Sequence, residues 1–325
     1  MEQMDPIKVI LLALLQGVAE LFPVSSLGHT VIIPGILGWG DLLRSKNFLP
    51  LVVSLHLGTA IALLTFFWRD WVKLITSGVK VVIAGRLTPD VDPDGYGRQM
   101  VMVVAGTIPA GVIGLLFQKP LESLFSSPIL ASAFLAINGV VLLTAERLTQ
   151  RLKSRSAGTT VSGGVTMASV AAHGNGLVSE TTMKRGAVTV EKESLNQVNF
   201  GQAAIIGLAQ ALALFPGISR SGTTIVAGLS SGLSHEAAAR FSFLLATPII
   251  FAAGVLEIPA LFSAGGNVLQ LALLGGIISG VAAYLSVRFL MRYFETNRLD
   301  PFAYYCFGAG LFGIVFFLLR DYHVI

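Results

Sequence analysis

The sequence predicts an all-α polytopic membrane protein, an inverted-topology repeat of six transmembrane helices plus two re-entrant broken-helix segments. Three observations predict it. The 325 residues are 54% hydrophobic and 12% charged, where a soluble domain carries about a quarter charged residues. Several apolar runs approach the roughly 20 residues needed to span a bilayer, without the alternation of a β-barrel. One broken motif occurs twice, and Lys and Arg are unequally distributed around it.

The N-terminus, MEQMDPIK, lacks the basic region and small-residue cleavage site of a signal peptide, so the first apolar segment is expected to remain. That segment covers about residues 7–38 and contains LLQGVAELFPVSSLGHT at 14–30, broken at Pro23. A polar turn follows, and residues 48–69 form the first span, ending on Trp68 and Arg69 as interfacial anchors. Residues 70–98 read as a mixed loop. Its Asp90, Asp92 and Asp94 resemble the opening of a calcium loop, but no distal Glu follows, so a solvated turn is expected. Residues 99–117 form a second span, kinked at Pro109, and 128–145 a third.

Residues 146–199 change character. They are rich in Ser, Thr, Gly, Lys and Glu without an apolar period, and read as a polar, mostly disordered cytoplasmic loop. This loop separates a first repeat, 1–145, from a second, 200–325. The second broken segment, about 200–233, contains LAQALALFPGISRSGTT at 208–224. Spans follow at about 237–258, 267–290 and 301–320.

If the broken segments enter and leave on one side, loops 69–98, 146–199 and 288–300 share a face. With Arg240 they carry sixteen of the 22 Lys and Arg. That face should be cytoplasmic, with both termini outside. The broken segments then enter from opposite faces and each precedes three spans, as an inverted repeat requires. The net charge of +4 and pI of 9.3 are accounted for by cytoplasmic loops, and no nucleic acid partner is expected. The single cysteine, Cys306, excludes an internal disulfide and is expected to be a buried apolar filler.

Irregular backbone at membrane depth needs protein or a watery cavity to satisfy it, and an ionisable residue there is functional by default. Glu20 and Arg220 both qualify, although a purely structural ion pair between the repeats would also place them there. After Pro216 and Gly217 a helix should restart near Ser219, with free N–H groups and a positive dipole end aimed into the break. Arg220, Ser219, Ser221, Gly222 and Thr224, with Ser25 of the first break, make up the expected phosphate-binding cradle. Plain N-capping would equally explain Ser219. In the first break Gln16 and Glu20 share a helix face, and a carboxylate beside a neutral amide is a candidate divalent-cation site, for Mg2+ or Ca2+. Ser26 and His29 lie one turn apart, a spacing suited to a nucleophile and an acid/base. A cradle for anions opposite such a group points to hydrolysis of a phosphate ester or diphosphate. His56, mid-span between leucines, reads as a hydrogen-bonded structural histidine. Glu257 is expected near a span end, and His173, His235 and His323 at solvent or the interface.

These residues resemble the integral-membrane undecaprenyl-diphosphate phosphatases, also called bacitracin-resistance proteins. The first family motif is represented by Gln16, Glu20, Pro23, Ser25, Ser26, Gly28 and His29, the second by Pro216, Gly217, Ser219, Arg220, Ser221, Gly222 and Thr224. Stretches 108–117 and 240–248 also resemble the family, and the similarity covers nearly the whole chain except about 150–198. The resemblance implies a polyprenyl diphosphate substrate, cleaved to the monophosphate carrier and inorganic phosphate. It also implies a divalent cation, a bacterial plasma membrane, a role in cell-wall carrier recycling and a site opening toward the outer face. Its catalytic set would be Glu20, Ser26, His29 and Arg220. Ser26 would attack the terminal phosphorus while His29 exchanges protons with it; attack by His29 or by water stays open. Position 16 is Gln, the less acidic of the family's options, and the 150–198 loop is long for the family. Expected partners are the lipid substrate, membrane lipids and, as a candidate assembly, a second copy in a homodimer. A lipid transporter or flippase using the same site is the alternative reading.

Overall fold

The computed structural model describes residues 5–117, 127–160 and 198–321. These residues are helical throughout, without a strand. In chain order the helices are α1 (Pro6–Ala19), α2 (Ser26–Ile36), α3 (Gly40–Arg44), α4 (Phe48–Phe66), α5 (Trp68–Ala84) and α6 (Tyr96–Leu116). After these come α7 (Pro128–Thr160), α8 (Phe200–Ala211), α9 (Arg220–Ser230), α10 (His235–Ser263), α11 (Gly266–Tyr293) and α12 (Asp300–Asp321). A single 3-10 turn, Leu212–Leu214, extends α8 toward Pro216.

Six of these helices, α4, α6, α7, α10, α11 and α12, are long and apolar enough to cross a membrane. They coincide with the six expected spans. The polar face that a soluble protein would show is replaced by exposed leucine, valine, isoleucine and phenylalanine along each, as lipid contact requires.

Two stretches differ from expectation. Residues 70–98 are not wholly loop, because α5 occupies Trp68–Ala84 and packs along α6. Arg69, Asp70, Lys73 and Lys80 break the apolar run there, yet Trp71, Leu74, Gly78 and Val81 recur at helical spacing and are the buried face. The third span does not end at 145 either, since α7 runs on to Thr160. Glu146 ends the apolar run but not the helix. Its carboxylate accepts from His235 Nε2 at 2.7 Å, Gln150 Nε2 at 3.0 Å and Leu299 N–H at 3.3 Å. His235, expected at solvent or the interface, is therefore half-buried and hydrogen-bonded to Glu146. The remainder of the expected polar loop, 161–197, lies outside the described residues, as do His173, His323 and the Glu257 side chain.

The Asp90–Asp94 turn binds protein. Asp92 accepts from the Gly97 and Arg98 N–H groups at 2.8 and 2.7 Å and so opens α6, and Asp90 pairs with Arg86.

The packing of the helices is paired. Helix α1 lies on α11 as α8 lies on α6; α4 packs against α10, and α7 against α12. The last pair runs antiparallel, because Ser132 meets Gly313, Asn138 meets Cys306 and Glu146 meets Leu299. Small residues permit the close crossings: a Cβ at Gly58 would collide with the Gly276 carbonyl, and one at Gly207 with the Gly106 backbone.

Each broken segment has its two ends together. Lys8, early in α1, pairs with Asp41 just beyond α2 at 2.8 Å. Gln202, early in α8, donates to the Ser231 carbonyl just beyond α9 at 2.8 Å.

Candidate active site

Both breaks end in the same way, with a serine that caps the helix after it. Ser25 Oγ accepts from Gly28 N–H at 3.2 Å to open α2, and Ser219 Oγ accepts from Gly222 N–H at 3.1 Å to open α9. Ser25 is the one non-glycine with positive φ among the described residues, at 67°. Such a backbone costs about 1–3 kcal/mol and persists where the surroundings enforce it. Here it brings the Ser25 carbonyl to 2.6 Å from His29 Nδ1.

The two breaks touch. A Cβ at Gly28 would meet the Gly217 backbone, and Gly217 itself sits at φ +106°, where other residues are strained. Asn138, from α7, bridges the breaks: its Nδ2 donates to the Pro23 carbonyl and its Oδ1 accepts from Ser219 N–H, both at 3.1 Å. Ser221 Oγ donates to the Phe22 carbonyl at 3.0 Å. Cys306 packs on the same carbonyl of Pro23, so it is a junction residue and more than an apolar filler.

Glu20 lies at the centre of the junction, at the C-terminal end of α1 and 6% exposed. One carboxylate oxygen, Oε1, accepts from Arg220 Nη2 at 2.7 Å. The other, Oε2, accepts from Gln16 Nε2 at 2.7 Å and from Ser26 Oγ at 2.5 Å. His56 Nε2 stands 3.2 Å from the same oxygen. The expected residues of the first break thus meet Arg220 of the second across 200 positions of sequence.

Three expectations need correction in detail. Ser26 gives its hydroxyl proton to Glu20, not to His29. The 26–29 spacing shares a helix face, but the N-terminal position of Ser26 turns its side chain back toward α1. His29 instead lies between the Ser25 carbonyl and Tyr305 of α12, whose hydroxyl is 2.8 Å from Nε2 with the rings stacked. His56, expected to be structural, belongs to the Glu20 cluster. Thr224 is part of the cradle's helix but turns its hydroxyl onto the Arg220 carbonyl and Ser242 Oγ. Ser219 and Ser221 share a hydrogen bond at 3.1 Å.

Sequence reasoning missed His56, Asn138 and Tyr305. An ionisable residue in an apolar span was the available signal for His56, and a buried amide between leucine-rich turns the signal for Asn138. Tyr305 carries none, since tyrosine is ordinary at a membrane helix.

Around Glu20, two buried atoms have no partner among the described residues: Gln16 Oε1 and Arg220 Nη1. Gln16 Oε1 and Glu20 are hard oxygen donors of the kind that Mg2+ or Ca2+ takes. No group of three or more His, Cys, Asp or Glu occurs among the described residues. This donor set fits a cation shared with substrate oxygens better than a closed protein cage.

The family model described as bacitracin resistance protein BacA matches residues 9–312. The chain is 42% identical to undecaprenyl-diphosphatase 2 of Frankia alni, covering 95% of this chain and 97% of that protein. It is 43% identical to undecaprenyl-diphosphatase 2 of Chromobacterium violaceum, covering 97% and 100%. It is 44% identical to undecaprenyl-diphosphatase of Mycolicibacterium paratuberculosis, covering 97% and 98%. With residues 9–312 matched and relatives at 42–44% identity over nearly their whole length, the chain belongs to the bacitracin resistance protein BacA family.

Proposed function

We propose that this chain is a multi-pass bacterial inner-membrane enzyme that hydrolyses undecaprenyl diphosphate to the monophosphate and inorganic phosphate, for recycling of the cell-wall carrier lipid. The observation that carries the reading is the buried set Ser26–Glu20–Arg220, assembled from two breaks in apolar helices. A lipid diphosphate brings its charge to the membrane and its tail into it, and a charged site between apolar helices suits such a substrate.

In the proposed reaction Ser26 Oγ attacks the terminal phosphorus. The Oγ–P bond forms, the bridging P–O bond breaks, and the lipid monophosphate leaves. Glu20, which already accepts the Ser26 hydroxyl, takes its proton. Arg220 Nη1 and the N–H groups at the start of α9 stabilise the transferring phosphoryl oxygens, the electrostatic work such a reaction needs. Water then hydrolyses the phosphoserine. His29, with its Tyr305 partner, is the second proton-handling group.

The divalent cation, Mg2+ or Ca2+, is part of the proposal. It would be held by Glu20 and Gln16 together with the diphosphate, and would neutralise phosphate charge. Chelation should abolish phosphate release, and Gln16→Leu should raise the cation concentration needed for half-maximal rate; an unchanged requirement would remove Gln16 from the cation site.

The antiparallel α7–α12 pair and the paired packing of α1 with α11 and α8 with α6 support an inverted repeat. The joined ends of the broken segments support two re-entrant arms. The Lys and Arg distribution supports a site opening toward the outer face.

Purified protein in detergent should release phosphate from undecaprenyl diphosphate, and Ser26→Ala should lose about 100-fold or more of that rate. Detergent removes compartments, so release there separates hydrolysis from lipid carriage. A phospho-adduct trapped on His29, or a Ser26→Ala variant of near-normal rate, would sink the Ser26 assignment.

A further inference from the structure

Of the four groups that hold Glu20, one comes from outside both broken segments. His56 lies in the middle of α4, within the apolar stretch VVSLHLGT. Its Nε2 is 3.2 Å from Glu20 Oε2, and its Nδ1 is 2.8 Å from the Val52 carbonyl one turn earlier. Each ring nitrogen therefore faces an oxygen that can only accept, and the doubly protonated ring makes both contacts, with Nδ1–H on the Val52 carbonyl and Nε2–H directed at the carboxylate. Helix α4 gives it a rigid base, because it packs against both α10 and α11.

The other three donors on Glu20 all have work elsewhere in the reaction. Ser26 gives up its hydroxyl proton and becomes an ester. Arg220 is needed on the phosphate. Gln16 stands at the proposed cation site. If all three loosened together, Glu20 would be a buried carboxylate without a fixed position, and a misplacement of about 1 Å costs on the order of 100-fold in rate. His56 is the donor with no second task.

We propose that His56 is a positioning residue for the phosphatase reaction: its Nε2–H keeps the Glu20 carboxylate against Ser26 while Arg220 and Ser26 engage the diphosphate. This rests on the phosphatase assignment above. His56 does not touch the substrate, so its loss should slow turnover without weakening binding.

The test is phosphate release from undecaprenyl diphosphate by the purified full chain in detergent, for wild type, His56→Leu and His56→Gln. Leucine fills the volume without a donor. Glutamine returns an amide N–H on a side chain of similar reach. Removing one hydrogen bond to a charged group should lower kcat about tenfold or more, with KM within about twofold of wild type. His56→Gln should recover most of that loss. A His56→Leu enzyme with kcat within about twofold of wild type would overturn the proposal. A His56→Gln enzyme as slow as His56→Leu, both with wild-type melting temperatures, would also overturn it. If His56→Leu does not fold, His56→Gln decides alone, by near-normal or by tenfold lower kcat; failure of both to fold assigns His56 to stability and ends the proposal. A wild type that releases no phosphate would instead overturn the phosphatase assignment itself.

Discussion

The Glu20 carboxylate is shared among side chains whose contributions differ in kind. Arg220 offers a planar fork, with Nη2 on Glu20 and Nη1 free of any partner among the described residues. Lysine is a point charge and does not serve both directions at once. Arg220→Lys should therefore lower kcat/KM about 10- to 100-fold, by loss of one or two charge-assisted hydrogen bonds; near-normal phosphate release would show that charge alone suffices. Tyr305 stands behind His29: the Ser25 carbonyl can only accept and so calls for a proton on Nδ1, while the Tyr305 hydroxyl is the partner of Nε2. Tyr305→Phe should melt as wild type and turn over several-fold more slowly. An unchanged kcat would remove Tyr305 from proton handling. Asn138 acts through position only. Asn138→Leu would strand the Pro23 carbonyl and the Ser219 N–H, at about 1–3 kcal/mol for each buried group. Its melting temperature in detergent should fall together with activity, and unchanged melting would contradict the bridging role.

The broken segments owe their use to what stops them. Pro23 and Pro216 end the incoming helices, and Ser25 and Ser219 start the outgoing ones, so each break leaves backbone N–H groups facing the junction. Gly28 and Gly217 let the two breaks come into backbone contact. Gly28→Val should push α2 away from the second break. Phosphate release should fall sharply although the spans, which do not depend on that contact, still insert; activity close to wild type would mean that the breaks need not touch. The breaks, their order and their capping serines were legible in the chain, because proline and small polar residues act locally. Helix α5 and the extension of α7 were not. Charged residues interrupt their apolar runs, and their amphipathic spacing and buried Glu146 pairing count only once neighbouring helices are in place.

At the scale of the whole molecule, α4 packs against α10 and α7 against α12, the contacts that an inverted repeat would make between equivalent helices. Under the proposed topology, Asp41 and Asp94 lie at opposite ends of the bundle. Cys306 is buried, so the native chain offers little background to a thiol reagent. An impermeant maleimide should label Asp41→Cys in intact cells and Asp94→Cys only after permeabilisation. Labelling of both from the same side would overturn the inverted arrangement.

The sequence by itself determined the class of molecule, the six spans, the two breaks and the polar residues, Glu20, Ser26 and Arg220, that they carry. Each of these follows from hydropathy, proline or a charge set in an apolar run, which are properties of neighbours along the chain. Only the tertiary structure decided that Ser26 faces Glu20 and not His29, and that His56, Asn138 and Tyr305 complete the junction. Those partners come from α4, α7 and α12, and side chains on separate helices are brought together by how the helices pack, which spacing along any one of them does not record.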